Sequence, residues 1–416
     1  MKNLPHVAVQ SLLLAWIFSA GGLAQEWTRF RGPNGTGIST TTGVPVSWTT
    51  ADFRWRLPIP GASHSQPVIW GDRIFVMTAS NDSENRMLLC LQKKDGAELW
   101  RKTYQLPTRT KGNKRSSYAN GSPVVDAMRV IACFVSTEHF WVRSFNHAGD
   151  ELWSRDLGPF PTRHGHGGSP IIYGSMVIVN NDQDNESFVT ALDLETGKPL
   201  WKLPGGSRYD FNTYGTPIVH APPAAPAEII LGTQSRGLVS LDPKTGALNW
   251  EAAVVENRMI GSPVLAGDLV IGAWGFGANN VLGAVKLGGK GNVSKTNVAY
   301  TARKGVSYVP TPLYHDSRLY VVNDGGIMTV LEAATGREIW AERLAVGEFY
   351  SSPVLIDGKI YVASVAGEMF VLAAGDEFKL LARNPLGEGT HSTPCVDAGR
   401  LYQKTFTHLA CIGEKG

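Results

Sequence analysis

An eight-bladed β-propeller is the fold this sequence predicts, from a repeat that fills the chain, a composition suited to short strands, and a final unit that lacks its last strand. Each repeat opens with a small residue or Ser/Thr close before a proline, continues through two apolar runs separated by a turn, and often ends in LDxxTGxxxW. The opening prolines are Pro67, Pro123, Pro170, Pro217, Pro263, Pro312, Pro353 and Pro394, spaced 41 to 56 residues apart. Glycine reaches 46 of 416 residues, above a usual ~7%, while charged residues make up only 18%, a balance that favours tight turns between short strands.

Within a unit, the apolar run after the proline, a second after a Gly/Asp/Asn turn, a third ending in ALDL or SLDP, and a fourth bearing tryptophan read as a four-stranded antiparallel meander. Proline is tolerated at the first position because a strand start does not need its N–H. The last-strand residues Trp100, Trp153, Trp201, Trp250 and Trp340 are expected to act as wedges between neighbouring blades. Blade 5 ends in SKTNVAY and blade 7 in FKLLARN, so two wedges are missing and those contacts should be weaker or filled by other side chains. The unit beginning at Pro394 stops after three strands, and DFRWRLPIPG at 52–61 is expected to supply the fourth, with Trp55 in the wedge position. Such a closure removes the exposed sheet edges of an open array.

Residues 1–24 carry Lys2, an apolar run from Val7 to Ala20 and a small-residue ending at Ala24, which reads as a secretory signal peptide cut after Ala24. The run is shorter than the roughly 20 apolar residues of a membrane span, so no span is expected after cleavage. No cysteine follows it, so no lipid anchor is expected either. The mature chain, 25–416, is then a single periplasmic or secreted domain, expected to be monomeric, with 25–61 as strap and closing strand. Cys90, Cys133, Cys395 and Cys411 allow three pairings and read by default as buried thiols or at most one or two bridges. A formal charge of +3 without a basic block argues against nucleic acid as a partner.

The copies ALDLETGKPLW, SLDPKTGALNW and LEAATGREIW resemble the pyrroloquinoline-quinone (PQQ) repeat family of propellers over essentially the whole mature chain. The opening WTRFRGPNGTGIS resembles exported PQQ-like repeat proteins of planctomycete type. The resemblance implies two roles: a quinoprotein dehydrogenase using PQQ with calcium, or the scaffold of the outer-membrane assembly machine. The dehydrogenases of the family often carry a vicinal disulfide and a calcium site, and neither aligns with this chain, so no cofactor and no metal are assigned. Repeat identity specifies fold far more strongly than activity.

In a propeller the linkers that precede each first strand share one channel mouth with the loops between strands two and three. Those linkers hold His64, Tyr118, Asn120, His164, His166, Tyr209, Asp210, Tyr214, Arg258, Tyr308, Tyr350 and His391; the loops add Trp274 and Asp324 among others. Together they predict a concave polar and aromatic ligand surface, weighed against loops that are polar merely because they are exposed.

Three patterns are read conservatively. HGHGG places His164 and His166 on one face of an extended segment, without further metal ligands. DQDNE (Asp182, Asp184, Glu186) alternates oxygen ligands but is expected to be a solvated hairpin tip. GAVKLGGKGNVS lacks the Ser/Thr after its lysine and the strand–helix setting of a phosphate loop, so it reads as the hairpin before the last strand of blade 5. WTRFRGPNGTGIS is likewise read as a strap on the closing blade, with Trp27 and Phe30 packed on the blades and Arg29 or Arg31 reaching a carboxylate or the channel. The functional expectation is an exported propeller that binds a partner or small ligand, whether protein, peptide or saccharide, at the mouth without catalysis. The alternatives are a PQQ-dependent alcohol or sugar dehydrogenase and a cell-envelope scaffold.

Overall fold

The computed structural model describes residues 27–82, 84–106, 116–161, 164–183, 185–205, 212–275 and 279–413; the expected signal peptide lies outside them. Eight antiparallel sheets follow one another along the chain. Blade 1 comprises Val68–Trp70, Arg73–Ala79, Asn85–Gln92 and Glu98–Gln105. Blades 2 to 7 run from Val124–Val125 to Glu151–Asp156, Ile171–Tyr173 to Pro199–Pro204, Ile218–His220 to Leu248–Ala252, Val264–Ala266 to Val298–Ala302, Leu313–His315 to Glu338–Arg343, and Val354–Ile356 to Leu380–Pro385. Blade 8 has Cys395–Asp397, Arg400–Lys404 and His408–Ile412, and Phe53–Pro58 pairs antiparallel with the last of these, Trp55 opposite Cys411.

One bulge recurs at the same place in every blade. The residue just before the wedge position (Arg54, Leu99, Leu152, Leu200, Asn249, Ala299, Ile339 and Leu381) is skipped in the pairing of the outer strand. An extra residue bends and twists the strand, which re-aims the next side chain. The wedges then sit on the next blade's LDxxTG turn: a Cβ at Gly197 would lie 2.4 Å from the Trp153 ring, and one at Gly246 would lie 2.4 Å from Trp201. Trp153 and Trp201 also donate their indole N–H groups to Leu194 O and Pro243 O, both at 2.9 Å. Glycine is required at these turns on two counts, a positive φ (65° at Gly197, 69° at Gly246) and the ring lying against it.

The two units without tryptophan are filled. Tyr300 takes the wedge position of blade 5, with its hydroxyl donating to Ala333 O at 2.8 Å and its ring against Gly336. In blade 7 the position is Ala382, and the N-terminal segment supplies the bulk. Trp48 and Val44 are buried there, and Asn384 clamps them by accepting from Trp48 N–H and donating to Val46 O, each at 2.9 Å. The apolar clusters straddle neighbouring blades, as where Phe75 and Leu88 of blade 1 meet Val130 and Phe134 of blade 2. All four cysteines are free thiols. The glycine-rich stretch of blade 5 leans back on its neighbour, Gly291 and Asn292 pairing in parallel with Trp250 and Glu251.

Around the axis, the residue before each opening proline forms a belt. Backbone N–H groups of Gln66, Ser122, Ser169, Thr216, Ser262, Thr311 and Ser352 each donate to the side-chain hydroxyl of the equivalent residue one blade on, ending at Thr393, over 2.9 to 3.3 Å. Gln66 is the belt member without a hydroxyl. Its side chain instead donates to Pro394 O at 2.5 Å and accepts the backbone N–H of Arg31 at 2.6 Å.

That contact reveals the real path of WTRFRGPNGTGIS. Rather than strapping one blade, residues 27–39 run through the channel below the belt and bond to first strands around the ring. Trp27 O and Thr28 O accept from Ile69 and Val125; Asn34 exchanges two bonds with Val219; Ile38 and Ser39 pair in parallel with Leu355 and Ile356. The Arg29 guanidinium donates to Pro217 O, and that of Arg31 to Thr311 O, Pro312 O and Pro353 O. Of the two expected destinations, a carboxylate or the channel, the arginines take the second, bonding to its inward-facing carbonyls. Gly37 stands where a Cβ would be 2.4 Å from the Arg31 guanidinium, which explains one of the glycines that had suggested a phosphate loop.

Candidate functional site

Above this plug lies a cavity of about 270 Å³, lined on its floor by Phe30. The linkers deliver eight of the expected residues to it: His64, Asn120, His164, Tyr214, Arg258, Tyr308, Tyr350 and His391. Asp324, from a loop between strands two and three, joins them, as the shared-face argument requires. Ser169, Ser262, Thr311, Ser352 and Thr393 of the belt complete the wall.

The wall is pre-organised by its own bonds. Asp324 Oδ1 accepts the backbone N–H groups of Tyr308 and Val309 at 3.1 and 3.0 Å, fixing the blade 5–6 linker. Arg258 donates through Nε to the Tyr308 hydroxyl. Asn120 accepts from Ser117 N–H at 2.8 Å and donates to His164 O at 3.0 Å, tying two linkers together. On the other side His64 Nε2 and His391 Nδ1 lie 3.2 Å apart, so one donates to the other, and the Tyr350 ring meets His391 edge-on at 4.8 Å. Burial, with His391 and the Lys404 ammonium nearby, lowers the His64 pKa to about 3, so the pair is held neutral at that member.

Three candidates are placed elsewhere. His166 turns away from the mouth because Gly165, at φ 69°, breaks the extended alternation that would have kept it beside His164. It donates through Nε2 to Asn180 O at 3.1 Å and packs 4.6 Å from the Phe140 ring, where burial lowers its pKa to about 4. Tyr118 lies beneath the Arg86 guanidinium, 4.7 Å from the ring centre, beside the neighbouring blade 1–2 boundary. Trp274 is a buried core residue between blades 4 and 5, cradled by Gly272 and Gly283. Tyr209 and Asp210 fall outside the described residues, as does Asp184.

The DQDNE reading also changes. Asp182 and Gln183 are buried, 2% exposed each, and Asp182 accepts from Ser187, Thr213 and the Gln234 N–H. Burial raises its pKa against the pull of those donors. Asp182 and Gln183 therefore form an internal polar joint between blades 3 and 4, while among the described residues Asn185 and Glu186 are exposed.

Phe30 and the five belt residues were not anticipated at the site. The Ser/Thr-Pro signature was visible in every unit but one, yet it marks strand starts equally well, and only the ring shows that those side chains turn inward.

A family model described as outer membrane protein assembly factor BamB matches residues 35–204, 145–291 and 278–379. This chain belongs to the BamB family. Within that family, BamB of Yersinia pestis is 26% identical over 228 residues, 52% of this chain; the chain spans about half, 50%, of that relative's length. The structure of BamB from Moraxella catarrhalis superposes with a TM-score of 0.60 at 16% identity, covering 91% of this chain and 98% of that one. A europium-containing methanol dehydrogenase (TM-score 0.67, 11% identity, 94% and 98% covered) is similar, as is the quinohemoprotein alcohol dehydrogenase of Comamonas testosteroni (0.66, 11%, 96% and 82%). At such identities the dehydrogenases share the propeller and nothing more is inferred from them.

PQQ with calcium, which the repeat resemblance implies, would have to draw its ligands from the wall of this cup. Among the described residues no three His, Cys, Asp or Glu side chains gather to hold a metal, and the lining offers one carboxylate, Asp324, already engaged with two backbone N–H groups. Calcium takes six to eight oxygen ligands. The described donor set does not fit a calcium-supported quinone, and no chemical step is derived through one. No helix of the described residues is long and apolar enough to cross a membrane.

Proposed function

We propose that this BamB-like propeller is an exported binding protein whose plugged channel forms a blind cup for a small molecule or the end of a larger partner. The observation that carries the reading is the convergence of linkers from blade after blade on one cavity, with Phe30 among its lining residues. Concave, largely pre-formed pockets with a few placed polar groups are the usual setting of ligand sites. Binding without turnover is the reading favoured by a wall whose one described carboxylate positions backbone. Export follows from the expected signal peptide. Ligand screening and pull-down with His164→Ala and Tyr350→Ala test it; if the variants and the unaltered protein retain every recovered ligand equally, the cup is not the site.

A second reading, a scaffold in cell-envelope assembly, is favoured by family membership itself, since the matching model and relative are named for outer membrane protein assembly. In that case other envelope proteins co-purify with the chain, and substitutions at the blade perimeter, rather than in the cup, abolish their capture.

A further inference from the structure

The belt and the plug together say what kind of group the cup accepts. Ser169, Ser262, Thr311, Ser352 and Thr393 all line the cavity, and each hydroxyl oxygen already accepts a backbone N–H from the preceding blade. None of these five hydroxyls donates to another group among the described residues. A hydroxyl has one proton to give, and an oxygen that accepts an N–H bond becomes the stronger donor through mutual polarisation. Five polarised O–H donors around one cavity are complementary to an acceptor rich in lone pairs.

The charges agree. Arg29 and Arg31 are buried directly beneath, 7% and 0% exposed, and their described guanidinium bonds go to backbone carbonyls. Thr311, whose carbonyl takes the Arg31 guanidinium at 3.1 Å, is itself on the cavity wall. Burial lowers both pKa values to about 9, so both remain cations at neutral pH. Arg258 adds a third cation on the wall, against the single described carboxylate of Asp324. In a water-poor interior such charges act at longer range than they would in solvent.

We propose that the cup binds a small organic oxyanion, its carboxylate, phosphate or sulfate group seated on the belt hydroxyls beside Arg258 and its body held between Phe30 and the rim tyrosines. This rests on the cup being a ligand site and adds the ligand's charge and the role of the belt.

The test uses the mature chain and isothermal titration calorimetry with benzoate, phenyl phosphate and phenyl sulfate, against neutral benzyl alcohol and cationic benzylamine. At least one anion is expected to bind tenfold or more tighter than benzyl alcohol, and which of the three binds tightest identifies the oxyanion. Arg258→Gln and Ser352→Ala should each weaken that anion at least fivefold and leave benzyl alcohol unchanged. Ser122→Ala is the control: it removes the same backbone acceptor from the belt, but Ser122 does not line the cavity, so anion affinity should hold. Equal loss in Ser122→Ala and Ser352→Ala reduces the belt to a structural element and overturns its role in binding. Benzyl alcohol or benzylamine binding as tightly as the anions overturns the oxyanion assignment while leaving the cup a ligand site. Binding of none of the five at millimolar concentration overturns the oxyanion assignment, while the cup itself stands or falls on the His164→Ala and Tyr350→Ala captures.

Discussion

At the blade boundaries the repeats behave alike, whereas along the channel axis they diverge. Each boundary uses the same bulge and the same inward aromatic, or a substitute for it, as with Tyr300 in blade 5 and the Val44–Trp48 segment beside blade 7. On the axis, the position two residues before the belt carries His64, Asn120, Gly167, Tyr214, Ile260, Val309, Tyr350 and His391 in turn, and one belt member is Gln66 in place of a hydroxyl residue. Where the repeat is kept, the chain is holding the ring together; where it is abandoned, the chain is building a plug and a cup. The deviations are therefore the better guide to function.

The comparison breaks first at the plug. Deleting residues 27–39 is expected to exceed any point substitution in its effect, because it removes Trp27 from the core and strips donors from carbonyls around the ring; loss of a cooperative transition in guanidinium denaturation is the readout. At the boundaries, Trp153→Ala should cost about 3–5 kcal/mol, as expected for truncating a buried tryptophan. Gly197→Ala should also destabilise, and because its new methyl would strike the very ring that Trp153→Ala removes, the double variant should lose less than the two single losses added together. Strict additivity in urea titrations would show that wedge and turn are not one joint.

Acid should weaken the molecule next. His64 and His166 are held below the ordinary histidine value, so below about pH 6.5 the unfolded chain binds protons that the native one refuses. Stability then falls as pH falls, by roughly 2 kcal/mol per histidine at pH 5 relative to pH 7. His166→Phe should flatten that dependence by one proton, measured as the slope of stability against pH. The smallest effect belongs to the belt: Ser352→Ala leaves the Thr311 N–H without its acceptor, for about 1 kcal/mol.

Much of the fold was legible because its signals are local and repeated. The prolines, the turns and the tryptophans each occur many times, so an error in one unit is corrected by the others. The cup was legible in outline, since linker position alone brought eight candidates to one cavity. His166 and Trp274 were misplaced for lack of side-chain direction: a single glycine at φ 69° reverses one, and the other is drawn into the core by its apolar area. Asp182 reads in the sequence as a solvated residue because its partners, Thr213 and Gln234, come from the next blade.

The sequence by itself determined a ring of four-stranded blades, the number of repeats, and the need for an N-terminal strand to finish the last one, because hydrophobic periodicity and turn chemistry act between residues near in the chain. Only the tertiary structure decided what WTRFRGPNGTGIS does. Its partners Gln66, Pro217, Thr311 and Pro353 lie tens to hundreds of residues away, and nothing in a linear pattern says that a buried arginine will be met by carbonyls instead of a carboxylate. Closing the ring points those carbonyls inward, and that geometry made the glycine-rich segment a plug and the space above it a cup.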